Sequence, residues 1–396
     1  MNTQNMTIRA GWLIDGSGRP VNKNVLINIA GGIVSSITDF FPDQQPPDKQ
    51  LDLTDCTIIP ALCDSHTHLA ISGRIDPEIR ENQMAYGYDQ AEAMIAGHVR
   101  DYIKHGVLTV RDGGDFNAYA LKYKNQSSGK KDHHLSIYAA GIGLHVKGRY
   151  GQLLGMHITP GRELSQAILE DFRPGMDHVK IVNSGVNSLT EFGKETSSQF
   201  TVDELKDAVR AAESIGLKVM VHANGNIPVR GAIEARCHTV EHGFFMGEDN
   251  LKRMADKGTI WVPTICTMKA YMDNSDPESG WHKVAEKNLI HQLEQVEMAI
   301  EYGVTIALGT DAGSPGVYHG SSVIEELGLL IKAGLSIEEA IKCATSNTMQ
   351  IINDAPNTGT VSKDNQATFV AVKGKPVDLP GSLKEIRGIW VKGKNI

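Results

Sequence analysis

Eight apolar runs of strand length recur through the middle of this 396-residue chain, and nothing else in it constrains the fold as strongly. They are TIIPALCDSHTH (57–68), GVLTVRD (106–112), LSIYAAGIG (135–143), HVKIVNSG (178–185), LKVMVHANG (217–225), HTVEHGF (238–244), TIWVPTI (259–265) and VTIALGTDAG (304–313). Amphipathic stretches separate them. Thr201 and Glu204 form a T-x-x-E capping box ahead of Leu205, Ala208, Val209 and Ala212, and Gly216 stops that helix. Ser336 and Glu339 repeat the device. Strands that are apolar throughout, each followed by a helix, suit a parallel sheet buried on both faces. The expectation is an α/β fold, a (β/α)8 TIM barrel over residues 58–358, with an open doubly wound sheet as the alternative.

The two ends of the chain read differently. VLINIAGGIVSSI near the start and ATFVAVKG near the end are short β-rich runs broken by Gly, Asp and Asn. Residues 1–57 and 359–396 are expected to build one small β-sandwich domain together, beside the barrel.

Composition narrows the partners. Hydrophobic residues make up 41% and charged residues 22%, within the ordinary globular range. The formal net charge is -8 and no basic run is present, which argues against nucleic acid. The start, MNTQNMTIRAGW, lacks a charged segment followed by an apolar one, and no apolar stretch reaches spanning length. Cys56, Cys63, Cys237, Cys266 and Cys343 are scattered without C-x-x-C spacing. These features predict a cytoplasmic protein with a small-molecule substrate and no membrane partner; a homo-oligomer is compatible with them.

Chemistry concentrates at strand ends. His66 and His68 lie two apart, so their side chains leave one face and can converge on an ion, although a surface pair would look the same. Lys180 interrupts an apolar strand, where it either points inward and needs neutralising or snorkels outward. His222 and His242, taken singly, read equally well as core histidines, and Asp311 as a turn cap. Taken together they place one chemical group at the ends of strands 1, 4, 5, 6 and 8, the face that carries function in barrels. Four histidines and a carboxylate, joined by a bridging anion, suit the mixed N/O preference of zinc and similar divalent ions.

In sequence, DSHTHL, VKIVNSG, VHANG, VEHG and GTDAGSPG resemble the successive signatures of the amidohydrolase superfamily. WLIDGSG and SIEEAIKCATSNTMQII extend the resemblance over nearly the whole chain, closest to the prolidase/Xaa-Arg dipeptidase-like and imidazolonepropionase-like branch. The resemblance implies two divalent metal ions, zinc by preference, and a CO2-derived carbamate on Lys180 shared between them. His66, His68 and Asp311 would hold the first ion and His222 and His242 the second, with a hydroxide between. Asp311 would move the proton, and Asp64, Glu241 and Thr310 adjoin ligands as supports. The implied reaction is hydrolysis of an amide C–N bond in a small polar substrate such as a dipeptide, an N-acyl amino acid or a cyclic amide.

Two other readings fit the same residues. A one-ion deaminase would place a glutamate after the fifth strand, where Ala223, Asn224 and Gly225 stand; a non-catalytic binding protein would have lost ligands. His145, in GLHVKGRYGQLLG, partly matches a Gly-Gly-His-Gly pattern of dipeptidase relatives, which would make it catalytic; a solvated basic loop with Lys147 and Arg149 is the other reading. Asn224 replaces a tyrosine of Xaa-Arg dipeptidase relatives. Arg236 and KDNQATFVAV also depart from the family pattern, away from the ligands. Segments 186–200 and 267–290 are long enough to act as lids.

Overall fold

A computed structural model of the chain describes residues 5–40, 50–130, 133–159, 161–352 and 359–396. Four strands open it: β1 (Met6–Leu13), β2 (Asn22–Ala30), β3 (Ile33–Asp39) and β4 (Gln50–Pro60). Nine follow: β5 (Leu62–Thr67), β6 (Val107–Asp112), β7 (Ser136–Ala139), β8 (Gly143–Val146), β9 (His157–Ile158), β10 (His178–Val182), β11 (Lys218–Ala223), β12 (Thr239–His242) and β13 (Ile260–Val262). Three close the chain: β14 (Phe369–Lys373), β15 (Ile386–Val391) and β16 (Lys394–Asn395).

The central strands form a TIM-barrel-like α/β arrangement. β5, β6 and β7 pair in parallel, and β13, β12, β11, β10 and β8 form a second parallel series ending on β9. β7 and β8 belong to one stretch that Gly141 interrupts with φ 78°. The expected eighth strand, 304–313, forms isolated bridges in place of a ladder. Its backbone still spans the gap: Trp261 N donates to Thr305 O (3.0 Å), Ser65 N to Leu308 O (2.9 Å) and Asp311 N to His66 O (2.7 Å). Every residue of β5, β10 and β12 is buried, as strands covered on both faces must be. Helices pack outside, among them Tyr88–Lys104, Val202–Ser214, Gly280–Glu301 and Ser321–Lys332. The Thr201–Glu204 and Ser336–Glu339 capping boxes both form.

The terminal strands join one seven-stranded mixed sheet in the order β16-β15-β14-β4-β1-β2-β3, rather than two stacked sheets. That sheet curls: Val34 N donates to Asn365 O and Ala367 N to Gly32 O (both 2.9 Å), which returns the β3 side to the approach to β14. Ile8, Ile27, Leu53, Ile58, Phe369 and Trp390 fill its interior as a core of their own.

The run 57–68 is therefore not a single strand. Residues up to Pro60 pair with β1 and β14, and after Ala61 the chain starts β5 against β6. Pro60 has no N–H to extend a ladder, so the handover falls there.

Candidate active site

His66, His68, Lys180, His222, His242 and Asp311 all line one cavity of about 340 Å³, within the usual size range of small-molecule sites. Strand geometry puts them there: each comes from a parallel strand or the turn leaving it, and parallel strands end on a common side.

Each imidazole has one ring nitrogen engaged in the wall. His66 Nδ1 lies 2.8 Å from Glu241 Oε2, His68 Nδ1 2.9 Å from Gly114 O, and His242 Nδ1 2.8 Å from Thr264 Oγ1. His222 is reversed, with Nε2 3.0 Å from Gly185 O. A neutral histidine that donates from one nitrogen keeps a lone pair on the other, and this is how protein histidines are set for a metal. The nitrogens left over are Nε2 of His66, His68 and His242 and Nδ1 of His222.

Asp311 Oδ1 stands 3.3 Å from His68 Nε2 and 3.5 Å from His66 Nε2, and its Oδ2 accepts from Ser314 Oγ (2.8 Å). The ligand atoms of His66, His68 and Asp311 all fall within 4.8 Å of one another, a group that could hold a metal ion. The His222 and His242 rings lie 4.5 Å apart beside them, and His242 lies 4.9 Å from His66. Asp311 and His242 both take left-handed backbone, with φ 60° and 69°. Such conformations cost non-glycine residues about 1 kcal/mol or more and persist where surrounding contacts dictate them.

Lys180 is 1% exposed, and its Nζ lies 3.3 Å from His66 Nε2. Among the described residues no carboxylate comes within 4.0 Å of it. The outward, snorkelling orientation is thus not the one adopted. Burial pulls its pKa down to about 8. Burial also holds His66 and His242 well below the usual imidazole range and His222 down to about 4, so these rings are neutral donors at pH 7. For His68 burial acts the same way, but the hydrogen bond and charge of Asp311 outweigh it and raise the pKa. Burial pushes Asp311 up, and the imidazoles around it, His68 first, bring it well below the carboxylate range.

The neighbours of these residues form two buried supports. Glu241 Oε1 accepts from Arg111 Nη2 (2.7 Å), while Arg111 Nε donates to Ser65 O (2.7 Å). A buried hydrogen-bonded chain of Arg111, Glu241 and His66 results, in which the guanidinium and carboxylate charges offset each other. Asp64 accepts from His66 N (3.2 Å), Thr310 N (2.9 Å), Thr310 Oγ1 (2.6 Å) and Tyr102 Oη (2.8 Å), tying the turn of His66 to that of Asp311. Nothing singled out Arg111 in sequence, although it interrupts GVLTVRD much as Lys180 interrupts its own strand.

His145 does not line the cavity. It pairs with β9, its Nδ1 lies 3.0 Å from Val146 O, and its ring centroid lies 6.2 Å from that of His157. The loop it begins contributes Tyr150, Leu153 and Leu154 to the cavity wall in its place. Segments 186–200 and 267–290 supply Val186, Asn187, Leu189, Met268 and Tyr271, whereas Phe192 and Trp281 face outward. Asn224 lines the cavity, and Arg80, which no motif marked, stands at it too.

A barrel-like α/β fold with oriented imidazoles, a carboxylate and a lysine around one cavity is a setting suited to hydrolysis, and three of those side chains could hold a metal ion. The chain belongs to the Amidohydrolase family, whose pattern it matches over residues 57–396, and it is a hydrolase acting on carbon–nitrogen bonds. It is 26% identical to an ochratoxinase of Aspergillus niger over 427 aligned residues, covering 98% of this chain and 85% of that protein. An imidazolonepropionase of Porphyromonas gingivalis is 22% identical, covering 91% and 84%. The solved structure of a Xaa-Pro dipeptidase with bound methionine in the active site shares 27% identity and a TM-score of 0.83, over 99% of this chain and all of that one. Among the described residues no helix is long and apolar enough to cross a membrane.

Proposed function

We propose that this protein hydrolyses the amide bond of a small polar substrate, such as a dipeptide, an N-acyl amino acid or a cyclic amide. Two divalent ions, zinc by preference, would be held by His66, His68, Lys180, His222, His242 and Asp311. The observation that carries this reading is the set of four imidazoles, each tied to the wall by one nitrogen and turned to a shared cavity by the other. When bound, the ions would supply Lewis acidity, polarising a carbonyl and acidifying water.

Among the described residues no carboxylate lies within 4.0 Å of Lys180, and burial has already moved it towards the neutral amine. The neutral amine is the form that attacks CO2; Nζ gains a carboxylate and releases a proton, so a destabilising cation becomes an anionic ligand. Asp311 stays ionised at neutral pH and is placed to accept a proton from water and return it to the leaving nitrogen. Glu241 and Arg111 hold the His66 ring in its donor orientation. His145 takes no part in this set.

The same reading treats 58–358 as the catalytic barrel and 1–57 with 359–396 as an accessory β-domain, supported by the latter's separate core. A cytoplasmic location is supported by five buried, unpaired cysteines. The test is metal removal and return: chelated protein should be inactive, two equivalents of zinc per chain should restore turnover, and Asp311→Asn should lose about 10³-fold in kcat. Turnover that survives complete metal removal, or a wild-type rate in Asp311→Asn, overturns it.

A further inference from the structure

Arg80 stands at the cavity as a cation that no described carboxylate approaches within 4.0 Å. It lies in the helix Pro77–Met84, which Asp76 caps by accepting from Glu78 N (2.9 Å). Its Nη1 donates to Ser72 O (2.7 Å), Arg74 O (3.2 Å) and Gly313 O (2.9 Å). Among the described residues its Nη2 and Nε donate to nothing. One half of the fork is thus fixed to backbone while the other edge is left with two parallel donors, the geometry that takes a carboxylate side-on.

The anchor at Gly313 matters because it belongs to the turn that carries Asp311. Gly313 has φ 106°, and a Cβ there would meet His68 O and Ile71 O at 3.0 Å, so this turn sits hard against the end of β5. Arg80 is therefore held at a set distance from the reacting groups. The cavity wall includes the apolar side chains Ile71, Leu154, Val186, Leu189, Phe244 and Met268. A volume of about 340 Å³ accommodates one amino acid and a small acyl group. The nearby Asp311 disfavours anions of higher charge.

We propose that the free edge of Arg80 binds a carboxylate on the substrate, which makes the substrate class an N-acylated α-amino acid with an apolar side chain. The carboxylate lies on Nε and Nη2, the side chain against the apolar wall, and the amide over Asp311. The position of the scissile bond rests on the hydrolytic reading above; the anion subsite does not.

The experiment keeps the two apart. Binding of a non-hydrolysable ligand is measured by calorimetry on zinc-loaded protein: the ketone analogue of N-acetyl-L-leucine, with CH2 in place of the amide N–H, and the same ketone without its carboxylate. Wild-type protein should favour the acid by about 10- to 100-fold, the scale of a charged hydrogen-bonded contact. Arg80→Met should reduce that preference to within about threefold, and Arg80→Lys should restore part of it. In parallel, kcat/KM is compared for N-acetyl-L-leucine and N-(3-methylbutyl)acetamide. An equal affinity of wild-type protein for the two ketones overturns the subsite even if the variants fail to fold, as does a preference that survives in folded Arg80→Met. Arg80-dependent binding of the acid without hydrolysis of either amide upholds the subsite and sinks the hydrolytic reading.

Discussion

At the scale of single residues, Lys180 sets function against stability. Its ammonium is buried, and its pKa falls from 10.5 to about 8 for that reason. In the unmodified, metal-free protein the unfolded chain binds this proton more tightly than the native one does, so the group weakens folding fully below pH 8. The penalty fades as pH rises through 10.5. The gap of 2.5 (10.5 − 8) corresponds to about 3 kcal/mol at neutral pH. Lys180→Met fills similar volume without charge. It should raise the stability of metal-free protein in CO2-free buffer by about 1–3 kcal/mol at pH 7 while reducing hydrolysis to background. Urea unfolding at pH 7 and pH 10 measures this, and a variant no more stable than wild type at pH 7 would refute it.

At the scale of elements, the helix Ser321–Lys332 supports the cavity through Glu326. This carboxylate accepts from Ile265 N (2.9 Å) and Cys266 N (2.7 Å), at the start of the helix Cys266–Asp273 that brings Thr267, Met268 and Tyr271 to the cavity. Burial raises its pKa from 4.5 to about 7. The folded value lies above the unfolded one, so the contribution of this group is complete below pH 4.5 and lost as pH rises through 7. Glu326→Gln removes the titration and costs a constant hydrogen-bond term. Its stability relative to wild type should therefore climb between pH 4.5 and 7, by up to about 3 kcal/mol. Melting curves of both proteins across that range decide the matter, and parallel profiles would refute the assignment.

What could be read from sequence divides along this scale. Capping boxes at Thr201 and Ser336 were legible because they involve neighbours in the chain. The gathering of the six candidate residues at one cavity was legible because they lie in or just after parallel strands, or in the 304–313 segment that bridges to them, and the ends of parallel strands fall on a common side. The split of 57–68 was not, since β4 and β5 are both apolar and only their pairing partners tell them apart. The way the terminal strands join was not legible for a similar reason: alternation marks strands but not whether they curl in one sheet. Arg111 and Arg80 escaped notice because their roles depend on Glu241 and Gly313, each well over a hundred positions away.

At the scale of the whole molecule, the core of the barrel-like part is continuous with the outer face of the terminal sheet, the face opposite that sheet's own interior core. Ile14, Ile59, Val370, Val372 and Ile389 belong to the same buried cluster as the barrel strands and helices. Calorimetry should accordingly show one unfolding transition; two well-separated ones would mean that the parts melt independently. β14 fills the place between β4 and β15 and pairs with β4 from Cys56 to Pro60. After one intervening residue, Ala61, β5 begins; it carries His66 and is followed directly by His68. A barrel spliced out of its accessory sheet for reuse in another protein would consequently lose the footing of the very strand that presents its first two imidazoles. Transplants of this scaffold will have to carry both ends of the chain along.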